Sequence, residues 1–400
     1  MRHNGESFGG SGERQIDALD TRNLGRQALA IALERQNGDM TMADFGDIYS
    51  AEKIASDERY VRKFEKFVSG GEKNNLAPAQ IFEQMFTNGV LLGNWLGNVE
   101  FEDGHTVEKF NVEAHNTLPY DDIRNKIDTF TTLTFSEPIE DEDFGTTIDK
   151  VALGFDVTTN NSREKLLDKI TRFYNGNQKL PFGFSQLEYY SDTDEHGPMP
   201  MLPRYTIGLS MGDINAIAET AKIRERDGTV DFGLFSGKNL VNRFKILSEI
   251  RAENELYQAM LPDDMDSEIV QQANVQLFAV DQCLHDALEV CTQELTNRKC
   301  LPPQVINEIE AAKKKGRGVQ ARNIVQEYLL SKSQEIFDSE SKEQAAWGKD
   351  IMGDGDTFVQ IIQLCNELKD AAYAGELDEH RAVMAHNQGI QSEEFAAQVA

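Results

Sequence analysis

The chain has little of what membrane, secreted and disulfide-rich proteins depend on. In its 400 residues no run approaches the roughly 18 apolar residues that a bilayer-spanning helix requires. Residues 1–15 form a segment rich in Gly, Ser and Glu that lacks the apolar stretch of a secretory signal. We therefore expect a cytoplasmic protein without membrane contact, with residues 1–15 as a disordered arm.

Cysteine and histidine are too sparse for the common metal sites. The four cysteines form no CxxC pair, and none of the seven histidines stands four residues from another or within an HExxH motif. This pattern predicts free, buried thiols and argues against a histidine-based metal site. GxxxxGK[ST] and GxGxxG phosphate loops are also missing, which argues against the usual nucleotide-binding folds.

Positive charge is scarce as well. The chain carries 68 acidic and 40 basic residues, a net charge of -28, so its average surface repels polyanions. Two basic stretches, 313–322 and 163–179, are exceptions, and solvated helix faces explain both. Charge alone therefore disfavours constitutive nucleic-acid binding.

The periodicity of apolar residues divides the rest of the chain into three domains and a tail. Residues 16–98 and 238–385 have helical spacing, whereas 99–237 has the two-residue period of strands, and 386–400 has no clear pattern. We predict an α+β protein with an N-terminal helical domain, a central β-containing domain, a C-terminal helical domain and a flexible tail. Two long helices that flank Leu261 and Pro262 predict an antiparallel helical hairpin, a common means of oligomerisation.

Two aspartates in the β-containing region lie at the ends of predicted strands. Asp128 opens the β-rich run 128–135, and Asp156 lies near the end of the run 151–158. Two carboxylates brought together at the mouth of a sheet can hold a divalent cation. Residues i and i+2 of a strand share a face, so the residue that accompanies Asp156 is Thr158.

These runs, with a predicted helix at 162–174 and strands at 184–190 and 204–209, resemble the PD-(D/E)xK nuclease superfamily over about residues 120–209. The resemblance implies a central restriction-endonuclease-like mixed sheet flanked by helical domains. It implies Mg²⁺ as the cofactor and hydrolysis of phosphodiesters as the reaction. In that family a lysine stands two residues after the second acid, where this chain has Thr158.

Residue by residue, the resemblance assigns Asp128 and Asp156 as catalytic metal ligands. An upstream acid falls to Asp121, Asp122 or Glu113, with Asp122 taken as the third metal ligand. Some members of the superfamily carry the lysine on the following helix, which makes Lys165 the candidate catalytic cation; Lys169 is the alternative, ahead of Arg163.

A second motif matches a different enzyme class. Gly208-Leu-Ser210-Met-Gly212 fits the GxSxG nucleophile elbow between a strand and a helix. The chain after Gly212 is helical and offers no further strands for an acid and a histidine. We interpret the motif as a strand-to-helix turn.

Two functional hypotheses follow. The first is a non-catalytic interaction or scaffold protein on a degenerate nuclease-like domain, which assembles with a protein partner or as a homo-oligomer through its helices. The alternative is a Mg²⁺-dependent nuclease that uses Asp128 and Asp156. From 101 to 160 the chain carries many more acids than bases, so an active nuclease also needs a basic track beside its acids.

Overall fold

The structure is a computed structural model with α-helices and a mixed β-sheet, which confirms the α+β class. It describes residues 40–68, 76–93, 95–96, 99–100, 106–107, 110–141, 146–171, 180–193, 195–223, 230–234, 236–262, 267–346 and 355–374. The predicted arm at 1–15, the first part of the predicted N-terminal helical domain at 16–39, and the tail at 386–400 lie outside these ranges.

Ten α-helices occur in the described part of the chain, after a short 3-10 turn at Met42–Phe45. They are α1 Ala51–Val68, α2 Leu76–Gly93, α3 Pro119–Asn125, α4 Arg163–Thr171, α5 Met211–Thr220, α6 Gly237–Met260, α7 Glu268–Asn297, α8 Pro303–Lys314, α9 Gly318–Ala346 and α10 Thr357–Tyr373. Local signals set several of the ends. Ser210, Ser236 and Asp356 cap α5, α6 and α10 by accepting a backbone N–H with their side chains.

Five strands form the central sheet in the order β3-β4-β5-β7-β6. They are β3 Phe110–Asn116, β4 Thr129–Asp141, β5 Thr146–Thr158, β6 Phe184–Ser191 and β7 His196–Gly208. Two short pairs accompany it, β1 Val99–Glu100 with β2 Thr106–Val107, and β8 Lys222–Ile223 with β9 Val230–Asp231.

The sheet is mixed because of a single parallel contact. Strands β3, β4 and β5 form an antiparallel meander, and β7 pairs antiparallel with β6. Between them β5 and β7 run parallel, with Asp156 opposite Thr206. The chain leaves β5 through α4, forms β6 at the edge and then inserts β7 next to β5. The carboxyl ends of β5 and β7 therefore meet at one edge of the sheet.

Alternate residues of the strands enter different cores. Leu133, Leu153 and Phe155 join the large core that α2, α6, α7 and α10 share, whereas Phe130 and Ala152 join a small cluster on the opposite face. The large core extends without a break across the predicted boundaries at 98 and 237. Helices from both ends of the described chain thus pack on the same sheet.

The two long helices α6 and α7 are adjacent, as predicted for a hairpin, but they do not form a projecting arm. Helix α6 buries side chains around its whole circumference, including Leu247, and Leu284 of α7 is equally buried. The reason is that α6 lies between the sheet, α7 and α10. Neither leucine is available to a partner protein.

Helix α6 also covers an edge that β7 would otherwise expose. Beyond Pro203, where its pairing with β6 ends, the backbone N–H of Thr206 donates to Glu253, at 2.8 and 3.0 Å to its two oxygens, and that of Gly208 donates to Glu249 at 2.9 Å. Four residues of a helix rise about 6 Å, close to the advance of two residues along a strand. The two glutamates therefore replace a neighbouring strand.

Candidate active site

Asp128 ties the start of β4 to the end of β5. Its backbone N–H donates to Phe155 O at 2.8 Å, and its side-chain Oδ2 accepts the N–H of Val157 at 2.7 Å. These two bonds flank Asp156, the residue between Phe155 and Val157. The local pairing of the two strands therefore brings both predicted acids to the same edge of the sheet.

Asp156 is buried and bonded to two cations. The ammonium of Lys169, near the end of α4, pairs with Oδ1, and the Arg204 guanidinium donates to Oδ2 at 2.9 Å. Arg204 also donates to the backbone oxygen of Lys169 at 2.6 Å, so it holds the end of α4 against β5. Asp156 and Arg204 are 3% and 1% exposed, so water hardly reaches this ion pair.

Two further acids approach Asp128. Asp122 of α3 forms a side-chain hydrogen bond with it, and Glu83 of α2 lies close enough to interact with the same carboxyl. Burial, and then the charges of Asp156, Asp122 and Glu83, raise the pKa of Asp128 well above its ordinary value. Burial, followed by the charge of Asp122, raises the pKa of Glu83 to about 7.

We call Glu83, Asp122, Asp128 and Asp156 the carboxylate cluster. Its members come from α2, from the neighbouring segments α3 and the start of β4, and from the end of β5. Burial and the charges of the neighbouring acids favour the protonated forms of Glu83 and Asp128, whose pKa values are both raised. The arrangement is suited to a cation that replaces those protons.

The carboxylate cluster brings Asp122, Asp128 and Asp156 together, but it does not include every predicted residue. Lys165 is exposed on α4, one turn before Lys169, and it is Lys169 that contacts Asp156. Thr158 accepts the N–H of Asn160 at 3.1 Å and so shapes the turn that follows β5. Glu113, on β3, accepts the N–H of Thr193 at 3.1 Å.

Asp121, the other candidate for the upstream acid, has a structural contact instead. It is fully buried and accepts the backbone N–H groups of Glu188 and Tyr189 at 2.8 and 2.9 Å, where the pairing of β6 with β7 is irregular. Asn125 donates to the same carboxylate at 2.5 Å. Burial raises the pKa of Asp121 to about 6. Asp121 thus fastens α3 to the edge strand.

Sequence reasoning missed Glu83 and Arg204. Glu83 stands on the predicted helix that precedes the sheet, between Phe82 and Met85, and an acid between two core residues is a weak but readable signal. Arg204 interrupts an otherwise apolar run in β7, and a charged residue in a buried strand demands a partner.

The GxSxG motif has no nucleophile geometry. Ser210 is the N-cap of α5, where its hydroxyl accepts the N–H of Asp213 at 3.1 Å and donates to the Asp213 carboxylate at 2.8 Å. The motif is a strand-to-helix turn, as predicted.

No family model matches the sequence, and comparisons with curated proteins and with solved structures find no match either. The helices that the structure describes include none that is long and apolar enough to cross a bilayer.

Proposed function

We propose that the protein is a divalent-cation-dependent phosphodiesterase that acts on nucleic acid, with the carboxylate cluster as its catalytic centre. One observation carries the proposal: the carboxyls of Glu83, Asp128 and Asp156 converge from three segments of the chain, and the ammonium of Lys169 pairs with Asp156. Acids and a lysine in this combination are the groups that metal-assisted phosphodiester hydrolysis requires.

The order of elements around the cluster supports the proposal. An antiparallel pair, β4 and β5, carries the two acids; α4 then carries the lysine, and β7 returns parallel to β5. This order agrees with the resemblance to the PD-(D/E)xK superfamily. Lys169 supplies, from α4, the positive charge that Thr158 cannot supply from the strand.

The donor set fits a hard cation. Carboxylate oxygens are the ligands that Mg²⁺ and Mn²⁺ prefer, and Glu83, Asp128 and Asp156 would hold the ion with Asp122 beside them. When bound, the ion would stabilise charge on the phosphoryl oxygens and lower the pKa of a water. Among the described residues, no three His, Cys, Asp or Glu side chains already stand in a ligating arrangement, so the carboxylates must shift on binding.

The residues of the chain have separate roles in this scheme. Asp156 would hold the ion through oxygens that already bond Lys169 and Arg204, since each carboxylate oxygen can accept a second partner. Lys169 would give way to an ion more readily than Arg204, because its side chain is 22% exposed and that of Arg204 is 1% exposed. The Lys169 ammonium would contact an anionic phosphoryl oxygen of the substrate, while Arg204 keeps α4 against the sheet.

The proposal is tested with purified full-length protein, Mg²⁺ or Mn²⁺, and single- and double-stranded DNA and RNA. We expect cleavage that Asp156→Asn, Asp128→Asn and Lys169→Met each reduce by at least about 100-fold. Lys165→Met is the matched control, since Lys165 lies on the same helix but is exposed. Equal losses from Lys165→Met and Lys169→Met, or activity that survives Asp156→Asn, contradict the assignment.

A second candidate function is favoured by the complete pairing of Asp156. A carboxylate whose two oxygens bond Lys169 and Arg204 is also typical of a structural ion cluster, as in a non-catalytic interaction protein on the same scaffold. Such a protein forms a stable oligomer or complex and cleaves nothing with any metal. Light scattering after size exclusion tests this, with Phe278→Asp and Ile336→Asp as variants, because both side chains are exposed, unlike Leu247 and Leu284.

A further inference from the structure

Aromatic rings join α1, α3 and the edge strand β6 in a continuous row. Tyr189 of β6 packs edge-on against Tyr49 and Tyr120, with ring centroids 5.4 and 5.5 Å apart. Tyr60 of α1 continues the row, 5.9 Å from Tyr120 at the start of α3. Tyr49, Tyr60 and Tyr120 are half-buried at the surface, and Tyr189, which is buried, packs against two of them.

Cations lie over this row. Lys53 Nζ is 5.2 Å from the ring centres of both Tyr49 and Tyr120. Arg124 Cζ is 5.9 Å from the Tyr60 ring, and Lys126 Nζ is 5.2 Å from that of Phe64, one helical turn further along α1. We call this surface the aromatic–cation strip; it consists of Tyr49, Lys53, Tyr60, Phe64, Tyr120, Arg124, Lys126 and Tyr189.

The strip ends at the carboxylate cluster. Helix α3 carries Arg124 and, at its C-cap, Lys126, whose ammonium interacts with Asp122 of the cluster. Lys126 takes a left-handed conformation, with φ 55° and ψ 48°, which turns the chain from α3 toward Asp128. The same short segment therefore contributes to both the strip and the cluster.

The outer part of the strip is positively charged although the protein as a whole is strongly acidic. Arg124 of the strip is exposed, as are its neighbours on α1, Arg59, Arg62 and Lys63, and the rings of Tyr60, Phe64 and Tyr120 are half-buried. Of the nearby acids, Asp57 and Glu188 both pair with Lys53, Asp57 also accepts the hydroxyl of Tyr189, and Glu58 pairs with Arg62 at 3.3 Å. In a chain of net charge -28, such a surface is a local exception that a polyanion can recognise.

We propose that the aromatic–cation strip binds single-stranded nucleic acid and directs it toward the carboxylate cluster. Partly exposed tyrosines offer faces on which bases stack, and the interleaved arginines and lysines contact phosphates. A duplex keeps its base faces stacked inside, so it can use only the charges. The direction toward the cluster rests on the proposed nuclease function, whereas binding itself does not.

Binding is measured without catalysis, by fluorescence anisotropy of a fluorescein-labelled strand of roughly 12 nucleotides in EDTA, a length within the usual site sizes of single-strand binders. Oligo-dT and oligo-rU distinguish DNA from RNA, and a duplex of equal length is the comparison. We expect either single strand to bind at least about tenfold more tightly than the duplex, with affinity that falls from about 50 to 200 mM salt.

The variants are chosen so that folding is preserved. Arg124→Gln removes an exposed charge, and Lys126→Asn removes a charge while asparagine tolerates the left-handed backbone. Each should weaken binding several-fold and lower the slope of log affinity against log salt by about 0.7. Tyr60→Leu should weaken binding without changing that slope. Tyr60→Phe keeps the aromatic ring and should bind as tightly as the wild-type protein. Lys314→Gln with Lys315→Gln is the matched control in the distant basic stretch, and it should change affinity less than twofold.

Two results overturn the inference: no binding of any single strand in EDTA at about 50 mM salt, or equal losses from the strip variants and from the Lys314 and Lys315 control. Binding in EDTA without cleavage in Mg²⁺ or Mn²⁺ leaves the strip standing and contradicts the nuclease proposal. Cleavage that depends on Asp156 but not on Arg124, Lys126 or Tyr60 supports the nuclease proposal and contradicts the role of the strip.

Discussion

The guanidinium of Arg204 donates to Asp156 Oδ2 at 2.9 Å in a position where neither residue is more than 3% exposed. Charge pairs this deep are costly to break, because the remaining partner is left charged and unsolvated. Asp156 has a second bond to Lys169, so the carboxylate is part of the stability of the sheet edge as well as of the candidate active site.

We expect Asp156→Ala to lower the free energy of unfolding by about 3–5 kcal/mol, since it leaves the Arg204 guanidinium buried without its carboxylate. The double variant Asp156→Leu with Arg204→Met should recover most of this loss, because the buried guanidinium is removed together with its carboxylate and the Lys169 ammonium, on a side chain that is 22% exposed, can turn to water. Urea unfolding followed by circular dichroism measures both. A double variant as unstable as Asp156→Ala would contradict this account.

The pH dependence of stability should reflect Glu253. Burial raises its pKa from 4.5 to about 8, against the opposing hydrogen bonds from Tyr257 and Thr206. The protonated carboxyl therefore favours folding: its contribution is complete below about 4.5 and is lost as the pH rises through about 8. We expect the free energy of unfolding to decrease across this window, by at most about 1.4 kcal/mol per pH unit for this group.

Glu253→Gln should flatten this pH dependence, because glutamine has similar size and does not titrate. Some slope will remain, since burial also raises the pKa of Glu249 well above its ordinary value. The double variant with Glu249→Gln should reduce the slope further, and Glu83, Asp121 and Asp128, whose pKa values burial also raises, account for what is left. Urea midpoints between pH 5 and 8 provide the measurement; a wild-type protein that becomes more stable with rising pH would contradict the sign.

Asp121 and Asp122 are neighbours in the sequence, but substitution of Asp121 should affect stability and substitution of Asp122 the proposed activity. Asp121→Asn leaves one of the buried N–H groups of Glu188 and Tyr189 facing another donor, at a cost of about 1–3 kcal/mol in unfolding free energy. Asp122 is exposed, so Asp122→Asn should change stability by less than about 1 kcal/mol while reducing the proposed nuclease activity. Thermal melts and cleavage assays on the same two samples separate the roles. A large loss of stability from Asp122→Asn together with a small one from Asp121→Asn would contradict the prediction.

Gly208 is expected to tolerate no side chain. A Cβ there would overlap Thr357 Cγ2 and lie 3.0 Å from Ile361 Cδ1, so Gly208→Ala should destabilise the protein by about 1–3 kcal/mol. Adding Thr357→Ser removes the overlapping methyl and should restore part of the loss. Thr357→Ser alone serves as the control. A double variant that is no more stable than Gly208→Ala would show that the overlap with the Thr357 methyl is not the cause of the loss.

Most described elements could be predicted from the sequence because their signals are local. The helix predicted at 162–174 is observed at Arg163–Thr171, and the strand predicted at 151–158 is the second part of Thr146–Thr158. Proline near the start of α2, the cap at Asp356 and the turn at Ser210 depend on residues a few positions apart. The positions of Asp128 and Asp156 in two β-rich runs also predict that the two acids lie near each other at an edge of the sheet.

The contacts that define the site are long-range, so no local pattern predicts them. Glu83 approaches Asp128 only because α2 packs on the sheet, and Arg204 reaches Asp156 only because β7 inserts parallel to β5. The choice of Lys169 over Lys165 likewise depends on where the end of α4 lies beside Arg204.

The amino-acid sequence by itself determined the α+β class, the positions of the principal helices and strands, and two acids at the ends of adjacent strands, because periodicity and capping act over a few residues. Only the tertiary structure decided which carboxyls meet. Successive residues of a helix point about 100° apart, so α3 directs Asp121 to the edge strand and Asp122 to Asp128, and nothing within the helix distinguishes the two.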